Sequence, residues 1–194
     1  MTTEINQEIL SILFILDQSG SMSSMGDEPL QGLNSFYDKQ KESGDFYSTL
    51  LTFNNDVKFI HKNIIGKEIK ELKKKDLIPQ GLTALYDAIG EGIEYQKSIK
   101  LENVLVVIMT DGENNASQKF KKEDIQTLIS HMEKKYGWSF SYLGANQDSF
   151  RVATDINIKN YQNFEFTREG CGEVFRNISD TVSRCVTSNS LNRI

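Results

Sequence analysis

The most apolar stretch of the chain ends abruptly in polar residues. Residues 9–16 are almost wholly apolar, and Asp17, Ser19 and Ser21 alternate directly after them. The stretch is too short to span a bilayer. A nearly continuous apolar run of this length predicts a strand that is buried on both faces, as in a parallel sheet covered by helices. Open α/β sheets place their ligand sites at the carboxyl ends of such strands, which is where these three side chains lie.

Strands and helices alternate along the rest of the pattern. Further strands are predicted at residues 47–53, 57–60, 103–110, 138–143 and 161–167. Helices are predicted from residue 29 to the glycine at 44, along positions 82–93, and at residues 119–136, 146–155 and 170–186. This order predicts a doubly wound α/β fold with a mostly parallel sheet and helices on both faces. We expect a single domain, with a core over residues 8–187 and a frayed tail over residues 188–194.

One pair of strands breaks the parallel pattern. Residues 47–53 and 57–60 flank the short turn Asn54-Asn55-Asp56, which predicts an antiparallel hairpin. The second strand alternates charged and apolar residues, as an edge strand does. Residues 61–79 follow, and they are rich in lysine. We interpret them as a solvated surface that holds a short helix, and the alternative is a contact surface for an acidic partner.

The helix near the middle of the chain is amphipathic and contains two glycines. Its apolar residues fall at positions 82, 85, 86, 89 and 93, on one face. Asp87 lies in its first turns, where a carboxylate is favourable against the helix dipole. Gly90 and Gly92 each cost about 1 kcal/mol relative to alanine inside a helix. Close packing against the sheet would explain why glycine stands at both positions.

Composition narrows the class of protein. The chain has 194 residues, of which 38% are hydrophobic and 25% charged, so we expect a soluble globular domain. A net charge of −5 argues against nucleic-acid binding. No apolar run is long enough for a membrane span. The N-terminus lacks the basic and apolar regions of a signal peptide, so we expect a cytoplasmic protein.

The cysteines and histidines offer little metal chemistry. Cys171 and Cys185 lie 14 residues apart in one predicted helix, which places them roughly 21 Å apart along its axis. A disulfide needs Cα atoms within about 7 Å, so we expect two reduced core thiols. His61 and His131 have no partner at the spacing of metal ligands, so we expect surface or boundary positions for both.

Three short motifs, taken in order, resemble the signature of the von Willebrand factor A (VWA) domain family. Asp17-Gln18-Ser19-Gly20-Ser21, then Thr83 within residues 81–89, then Asp111 within Thr110-Asp111-Gly112 match the pattern Asp-x-Ser-x-Ser…Thr…Asp. That pattern marks the metal-ion-dependent adhesion site (MIDAS) of the family. Each motif alone is more often a helix cap or a turn, but the joint pattern favours the site. The resemblance extends over almost the whole chain and implies a Rossmann-like sheet with one antiparallel edge strand.

The resemblance also implies a ligand set for Mg²⁺ or Mn²⁺, made of Asp17, Ser19, Ser21, Thr83 and Asp111. The two serines would bind the metal directly, and the threonine directly in one state and through water in another. The two aspartates would act through bound waters and hydrogen bonds, and a partner's carboxylate would take the sixth position. A cation held mostly by neutral hydroxyls keeps most of its charge, so such a site suits the capture of an external Asp or Glu.

These expectations favour a binding module rather than an enzyme. The chain would be a cation-dependent adaptor or scaffold that captures an acidic residue of a partner protein, without contact to nucleic acid or membrane. The sequence leaves the oligomeric state open, although we favour a monomer. Residues 113–115 either line the mouth of the site or form a polar loop.

Two other functions compete with the binding module. The first is a metal-dependent phosphatase or hydrolase with Asp17 as nucleophile, since the strand-end aspartates loosely resemble the haloacid-dehalogenase arrangement. That chemistry normally needs a second acid two residues later, where this chain has Ser19. It also needs a lysine, which the cluster at residues 67–75 could supply. The second is a structural subunit with a vestigial site, and the complete set of five donors argues against it.

Overall fold

The structure is a computed structural model that describes residues 9–145, 149–165 and 167–188. The strands are β1 (Ser11–Asp17), β2 (Tyr47–Phe53), β3 (Val57–Ile65), β4 (Val104–Thr110), β5 (Ser139–Ala145) and β6 (Asn160–Phe164). The helices are α1 (Glu28–Ser43), α2 (Leu85–Ser98), α3 (Lys122–Tyr136), α4 (Ser149–Asp155) and α5 (Arg168–Ser188). The predicted tail after residue 188 and the predicted start of α4 at residues 146–148 lie outside the described residues.

All these strands belong to one sheet, in the order β3-β2-β1-β4-β5-β6. Four neighbouring pairs are parallel, and only β2 and β3 pair antiparallel. The predicted fold class, a doubly wound and mostly parallel sheet with one antiparallel edge strand, is therefore confirmed. The edge strand β3 runs to Ile65, five residues beyond the predicted end of that strand.

The sheet separates two hydrophobic cores. Along β1, Ile12 and Phe14 point into the core beneath α1 and α5. Leu13 and Ile15 point into the other core, beneath α2, α3 and α4. Because both faces of the strand are covered, every residue of β1 and β4 is buried. This is the physical reason why these two strands are almost continuously apolar.

The two central strands mark the point where the chain changes direction across the sheet. From β1 the chain proceeds to β2 on one side, and it later returns to β4 on the other side. The loops after β1 and β4 therefore part at this point and leave a crevice at the carboxyl ends of the strands. Ligand sites of open α/β sheets lie in this crevice.

The lysine-rich stretch differs from its prediction. Its first residues extend β3, and two 3₁₀ turns at Gly66–Glu68 and Lys74–Asp76 replace the predicted short helix. In addition, α2 begins at Leu85, so Leu82 lies in the preceding loop and is 52% exposed. Ala84, which directly precedes α2, has φ −88° and ψ 58°, so the backbone is not helical before Leu85.

The two glycines of α2 are tightly packed, as predicted. A Cβ at position 90 would lie 2.5 Å from the ring of Phe120, and one at position 92 would lie 2.9 Å from Leu51 Cδ2. The second contact is with the sheet, whereas the first is with the loop that precedes α3. A Cβ at either position would force Phe120 or Leu51 to shift, so glycine lets α2 approach its neighbours.

The remaining sequence predictions concern single side chains. Cys171 is buried and free, as predicted, and the side chain of Cys185 lies outside the described residues. Tyr136, placed on the apolar stripe of its helix, is 38% exposed because it is the last residue of α3.

Of the helices in the described ranges, none has the length and hydropathy needed to cross a membrane.

His61 is half-buried in a polar cluster beneath the sheet edge, and His131 is exposed. The ring nitrogen Nε2 of His61 lies 3.1 Å from Ser48 Oγ and 3.4 Å from the Tyr37 hydroxyl. The Tyr37 and Ser48 hydroxyls lie 3.0 Å apart. Burial lowers the pKa of His61 to about 4, because the charged imidazolium would lose its hydration there.

We expect this histidine to make folding sensitive to mild acid. Because its pKa is lower in the folded state than the unfolded value of about 6.5, the unfolded state gains a proton first as the pH falls. Its stabilising effect is complete above pH 6.5 and is lost towards pH 4, a difference of about 3 kcal/mol. Urea unfolding of wild type and His61→Gln across this range measures it. Equal slopes of stability against pH in both proteins would contradict the prediction.

Candidate metal centre

Four of the five predicted site residues form one chain of hydrogen bonds. The Ser19 backbone N–H donates to Asp17 Oδ1 at 2.6 Å. The hydroxyl oxygens of Ser19 and Ser21 lie 3.1 Å apart. The Ser21 hydroxyl then donates to Asp111 Oδ1 at 2.7 Å. The loops after β1 and β4 thus meet through their polar side chains, in the crevice that the topology opens.

The buried end of this chain is fixed by the sheet. Asp17 is the last residue of β1 and is fully buried. Its second carboxylate oxygen, Oδ2, accepts a hydrogen bond from the hydroxyl of Thr110 at 2.5 Å. Because Thr110 ends the neighbouring strand β4, the pairing of the two strands orients this carboxylate. Both of its oxygens are engaged, so the side chain is held in one position.

The loop after β1 owes its shape to two buried methionines. Residues Gly20–Met25 form a 3₁₀ turn in which Met22 and Met25 are buried. Ser19 precedes the turn in extended conformation and is 2% exposed, whereas Ser21 is exposed. The turn therefore places one hydroxyl beneath the surface and one at the surface, both close to the aspartates.

Thr83 reaches the same place from a third loop. Its backbone N–H donates to Asn115 Oδ1 at 2.8 Å, and its carbonyl accepts the Asn115 N–H at 3.0 Å. A Cβ at Gly112 would lie 3.3 Å from Thr83 Oγ1. The threonine hydroxyl therefore lies against the backbone next to Asp111. Glycine at position 112 leaves the space that this approach needs.

Backbone hydrogen bonds hold the first and third loops together. The Gly20 N–H donates to the Gly81 carbonyl at 3.0 Å, and the Gln80 N–H donates to the Gln18 carbonyl at 2.8 Å. The Leu82 N–H also donates to Asn55 Oδ1 at 3.0 Å. These bonds hold the loop of Thr83 against the loop of Ser19 and Ser21, and all five predicted residues therefore lie at the carboxyl edge of the sheet.

Asp87 has a role that the sequence did not reveal. Its carboxylate accepts three backbone N–H groups of the loop before α3, from Gln118, Lys119 and Phe120, at 2.8, 3.0 and 2.9 Å. From the sequence, only a favourable interaction with the dipole of its own helix was expected for this residue. The correction is that it fastens the loop after β4, which carries Asp111, onto the start of α2.

The two site carboxylates accept hydrogen bonds but have no basic partner among the described residues. Burial raises the pKa of Asp17 to about 6, against hydrogen bonds from Thr110 and Ser19 that lower it. Burial also raises the pKa of Asp111, opposed by its bond to Ser21. In the part of the chain that the structure describes, neither aspartate forms an ion pair with a basic side chain. A bound cation would supply this missing charge, so the residues present fit one.

The donor set also limits the class of metal. Across residues 9–145, 149–165 and 167–188, no group of three or more His, Cys, Asp or Glu side chains could hold a metal ion. The candidate centre has two carboxylates and three hydroxyls. Such a set of oxygen donors suits a hard cation such as Mg²⁺ better than a soft one.

Some residues that shape the centre were missed or left open. The sequence left residues 113–115 open between site mouth and polar loop, and Asn115 proves to hold Thr83. Glu113 forms an ion pair with Arg151 of α4. Thr110 was quoted only as a neighbour of Asp111. The signal that could have identified Thr110 is its position: it is a hydroxyl residue at the end of β4, the strand that pairs with β1.

Comparison with solved structures supports the same architecture. The PilB minor pilin from Streptococcus sanguinis, in a mutant form, matches with a TM-score of 0.70 at 15% identity, over 97% of this chain and 65% of that one. The vWF domain of the type V pili tip protein Mfa5 from Porphyromonas gingivalis matches with a TM-score of 0.69 at 11% identity, over 92% and 96%. This chain therefore spans about two thirds of the PilB structure and nearly all of the Mfa5 domain.

A third solved structure contains a metal. Proximal thread matrix protein 1 from the mussel byssus, with a zinc-occupied MIDAS motif, matches with a TM-score of 0.65 at 16% identity, over 91% of this chain and 48% of that one. No family model and no curated protein matches the sequence. At these identities the likeness establishes the fold alone. Together with the strand order and the antiparallel edge, it shows that this chain adopts the von Willebrand factor A fold.

Proposed function

We propose that this chain is a divalent-cation-dependent protein-binding module, an adaptor or scaffold that captures an acidic side chain of a partner protein. One observation carries the proposal. Three hydroxyls and two carboxylates converge at the carboxyl edge of the sheet, and neither carboxylate has a basic partner among the described residues. These are the donor groups of a cation site, and a bound cation would balance the negative charge of the two carboxylates.

In this proposal Asp17, Ser19, Ser21, Thr83 and Asp111 hold Mg²⁺ or Mn²⁺. The serine hydroxyls bind the ion directly and Thr83 binds it directly or through water, while the aspartates orient hydroxyls and bound waters. When bound, the cation supplies positive charge that neutral hydroxyls leave largely uncompensated. A carboxylate from a partner protein is then attracted to the remaining coordination position.

Two further observations support the proposal. The hydrogen bonds within the centre already fix the ligand side chains, so that little ordering has to accompany metal binding. The solved structures of this fold include a pilin, a pilus tip protein and a thread matrix protein with zinc in its MIDAS. The names of these proteins describe parts of pili and of a byssus thread, which favours a protein-interaction role over catalysis.

The hydrolase alternative receives no such support. A nucleophilic carboxylate needs an exposed oxygen that can reach a substrate. Asp17 is fully buried, and its two oxygens accept hydrogen bonds from the Ser19 N–H and the Thr110 hydroxyl. Among the described residues no lysine forms an ion pair with Asp17 or Asp111, and Lys74 of the lysine cluster pairs with Asp27 instead.

A capture experiment from an extract of the source cells tests the proposal. We expect wild type in Mg²⁺ to retain a partner that is lost in EDTA, and Ser21→Ala to retain about tenfold less of it or none. Ser23→Ala is the matched control, because this serine is exposed in the same turn and takes no part in the hydrogen bonds of the centre. It should behave as wild type. Equal recovery in all four samples would contradict cation-dependent capture.

A further inference from the structure

Positive charge is concentrated in one part of this acidic protein. Residues 57–75 contain seven lysines and two glutamates, a formal charge of +5 in a chain of net charge −5. The rest of the chain therefore carries −10. By its sequence this stretch is either an ordinary solvated surface or a contact for an acidic partner. Its structure favours the contact.

The lysine ridge, as we name residues 66–75, is an ordered segment although it contains no α-helix or strand. Ile69 and Leu72 are 5% and 6% exposed and anchor it to the core. Asn34 of α1 fixes it further, since its side chain donates to the Leu72 carbonyl at 3.0 Å and accepts the Leu72 N–H at 2.9 Å. The five lysines of the ridge are all exposed, at positions 67, 70, 73, 74 and 75.

The ridge leads directly to the candidate metal centre. Lys74 Nζ lies 2.5 Å from Asp27 Oδ2, just after the turn that carries Ser21. Further along, Leu77 and Pro79 line a small cavity together with Met22 of that turn. The backbone bonds of residues 80 and 81 to residues 18 and 20 complete the contact. Residues 74–81 therefore run beside the loop that supplies two of the proposed ligands.

Most of the charge on the ridge is available to a partner. In the described ranges, Lys74 is the one ridge lysine that forms an ion pair. Exposed lysines pair weakly one at a time, but several that face several carboxylates steer association and fix orientation. The ridge begins at the amino end of β2, where the Gly66 N–H donates to the Phe46 carbonyl. Residues 74–81 then bring the chain to the carboxyl end, where the metal centre lies. The ridge is thus a positive strip that leads to the centre over about 20 Å, the length of β2.

We propose that the lysine ridge is a second contact for the partner of the metal centre, and that this partner is an acidic protein segment with several carboxylates. One carboxylate binds the cation, and further carboxylates along the extended segment face Lys73, Lys70 and Lys67 in turn, with increasing distance from the centre. The inference rests on the proposed function. A protein segment fits better than nucleic acid or a lipid surface, because Glu68 and Glu71 interrupt the ridge.

Binding of labelled poly-L-glutamate tests the inference. We compare wild type in Mg²⁺ and in EDTA with the triple variant Lys67→Gln, Lys70→Gln and Lys73→Gln. The control triple is Lys97→Gln, Lys134→Gln and Lys159→Gln, which removes the same charge from exposed lysines elsewhere. Ridge substitution should weaken binding in Mg²⁺ by about tenfold or more, and the control by less than about twofold. The difference should shrink at high salt.

The outcomes separate this inference from the proposed function. Metal-dependent binding that both triples weaken equally overturns the ridge and leaves the metal centre intact. Ridge-dependent binding that is unchanged by EDTA overturns the proposed function, and with it the shared partner. Failure of wild type to bind poly-L-glutamate overturns the inference. So does tighter binding to a single-stranded oligonucleotide or to phosphatidylserine vesicles that the ridge triple abolishes.

Discussion

Mg²⁺ is expected to raise the free energy of unfolding of the wild-type protein by about 2.7 kcal/mol when the free ion is about 100-fold above its dissociation constant. The folded chain gathers five oxygen donors from three separate loops, whereas the unfolded chain disperses them. The ion therefore binds the folded state alone. In Asp111→Asn most of this gain should disappear, because one of the two charges in the centre is removed. Urea unfolding with Mg²⁺ and with EDTA measures the effect.

Asp111 is the informative residue for this test because its change leaves the fold intact. It is half-buried, and an asparagine oxygen can still accept the hydrogen bond from Ser21. Asp56→Asn is the matched control, since Asp56 is an exposed carboxylate in the nearby turn between β2 and β3. The control should keep the full gain. A gain in Asp111→Asn equal to that in wild type would exclude this residue from the metal centre.

Removal of the Asp87 carboxylate is expected to lower the free energy of unfolding by about 3 kcal/mol. Asp87→Ala leaves three backbone N–H groups of the loop before α3 without their acceptor. These N–H groups are only partly accessible to water, so water replaces the lost hydrogen bonds incompletely and the folded state is destabilised. The same loop carries Asn115, which holds Thr83. The gain from Mg²⁺ should therefore shrink as well.

Two further variants provide reference values for the loss of stability in Asp87→Ala. Asp124→Ala removes an exposed carboxylate that accepts one backbone N–H, from Lys121, and should cost about 1 kcal/mol or less. Asp87→Asn keeps one acceptor oxygen and should fall between the two alanine variants. A loss in Asp87→Ala no larger than that in Asp124→Ala would show that the three hydrogen bonds do not fasten the loop.

The two predictions probe different links between sequence and function. Asp111→Asn changes the charge of the centre on an unchanged scaffold. Asp87→Ala loosens the scaffold and leaves every proposed ligand in the chain. If the metal centre depends on preorganised loops, both variants lose metal binding, but only the second loses stability in EDTA.

Sequence reasoning was most successful where burial acts on a whole element. The apolar runs of β1 and β4 predicted central parallel strands, because strands covered on both faces have no position that faces water. The alternating charges of the first half of β3 predicted an edge strand, because one side of an edge meets water. Helix ends were also well placed where a glycine stops the helix, as at Gly44 after α1.

It was least successful where a short segment is shaped by distant partners. The predicted helix in the lysine-rich stretch is absent because Asn34 and the core hold residues 69–72 in a path of their own. Leu82 fitted the helical period but lies in a loop, because Ala84 has a non-helical ψ of 58° and Asn55 Oδ1 holds the Leu82 N–H in that loop. Periodicity carries no information about such side-chain acceptors, which come from other parts of the chain.

The sequence by itself determined the fold class, the order of the elements and the identity of the five candidate ligands. These depend on local patterns: apolar runs, periodicity and short motifs at the ends of strands. Only the tertiary structure decided how the candidates meet. Thr110 orients Asp17 through strand pairing, Asn115 positions Thr83, and Asp87 fastens the loop of Asp111. Such contacts depend on which loops the sheet brings side by side, and that follows from the packing of the whole chain rather than from any single stretch.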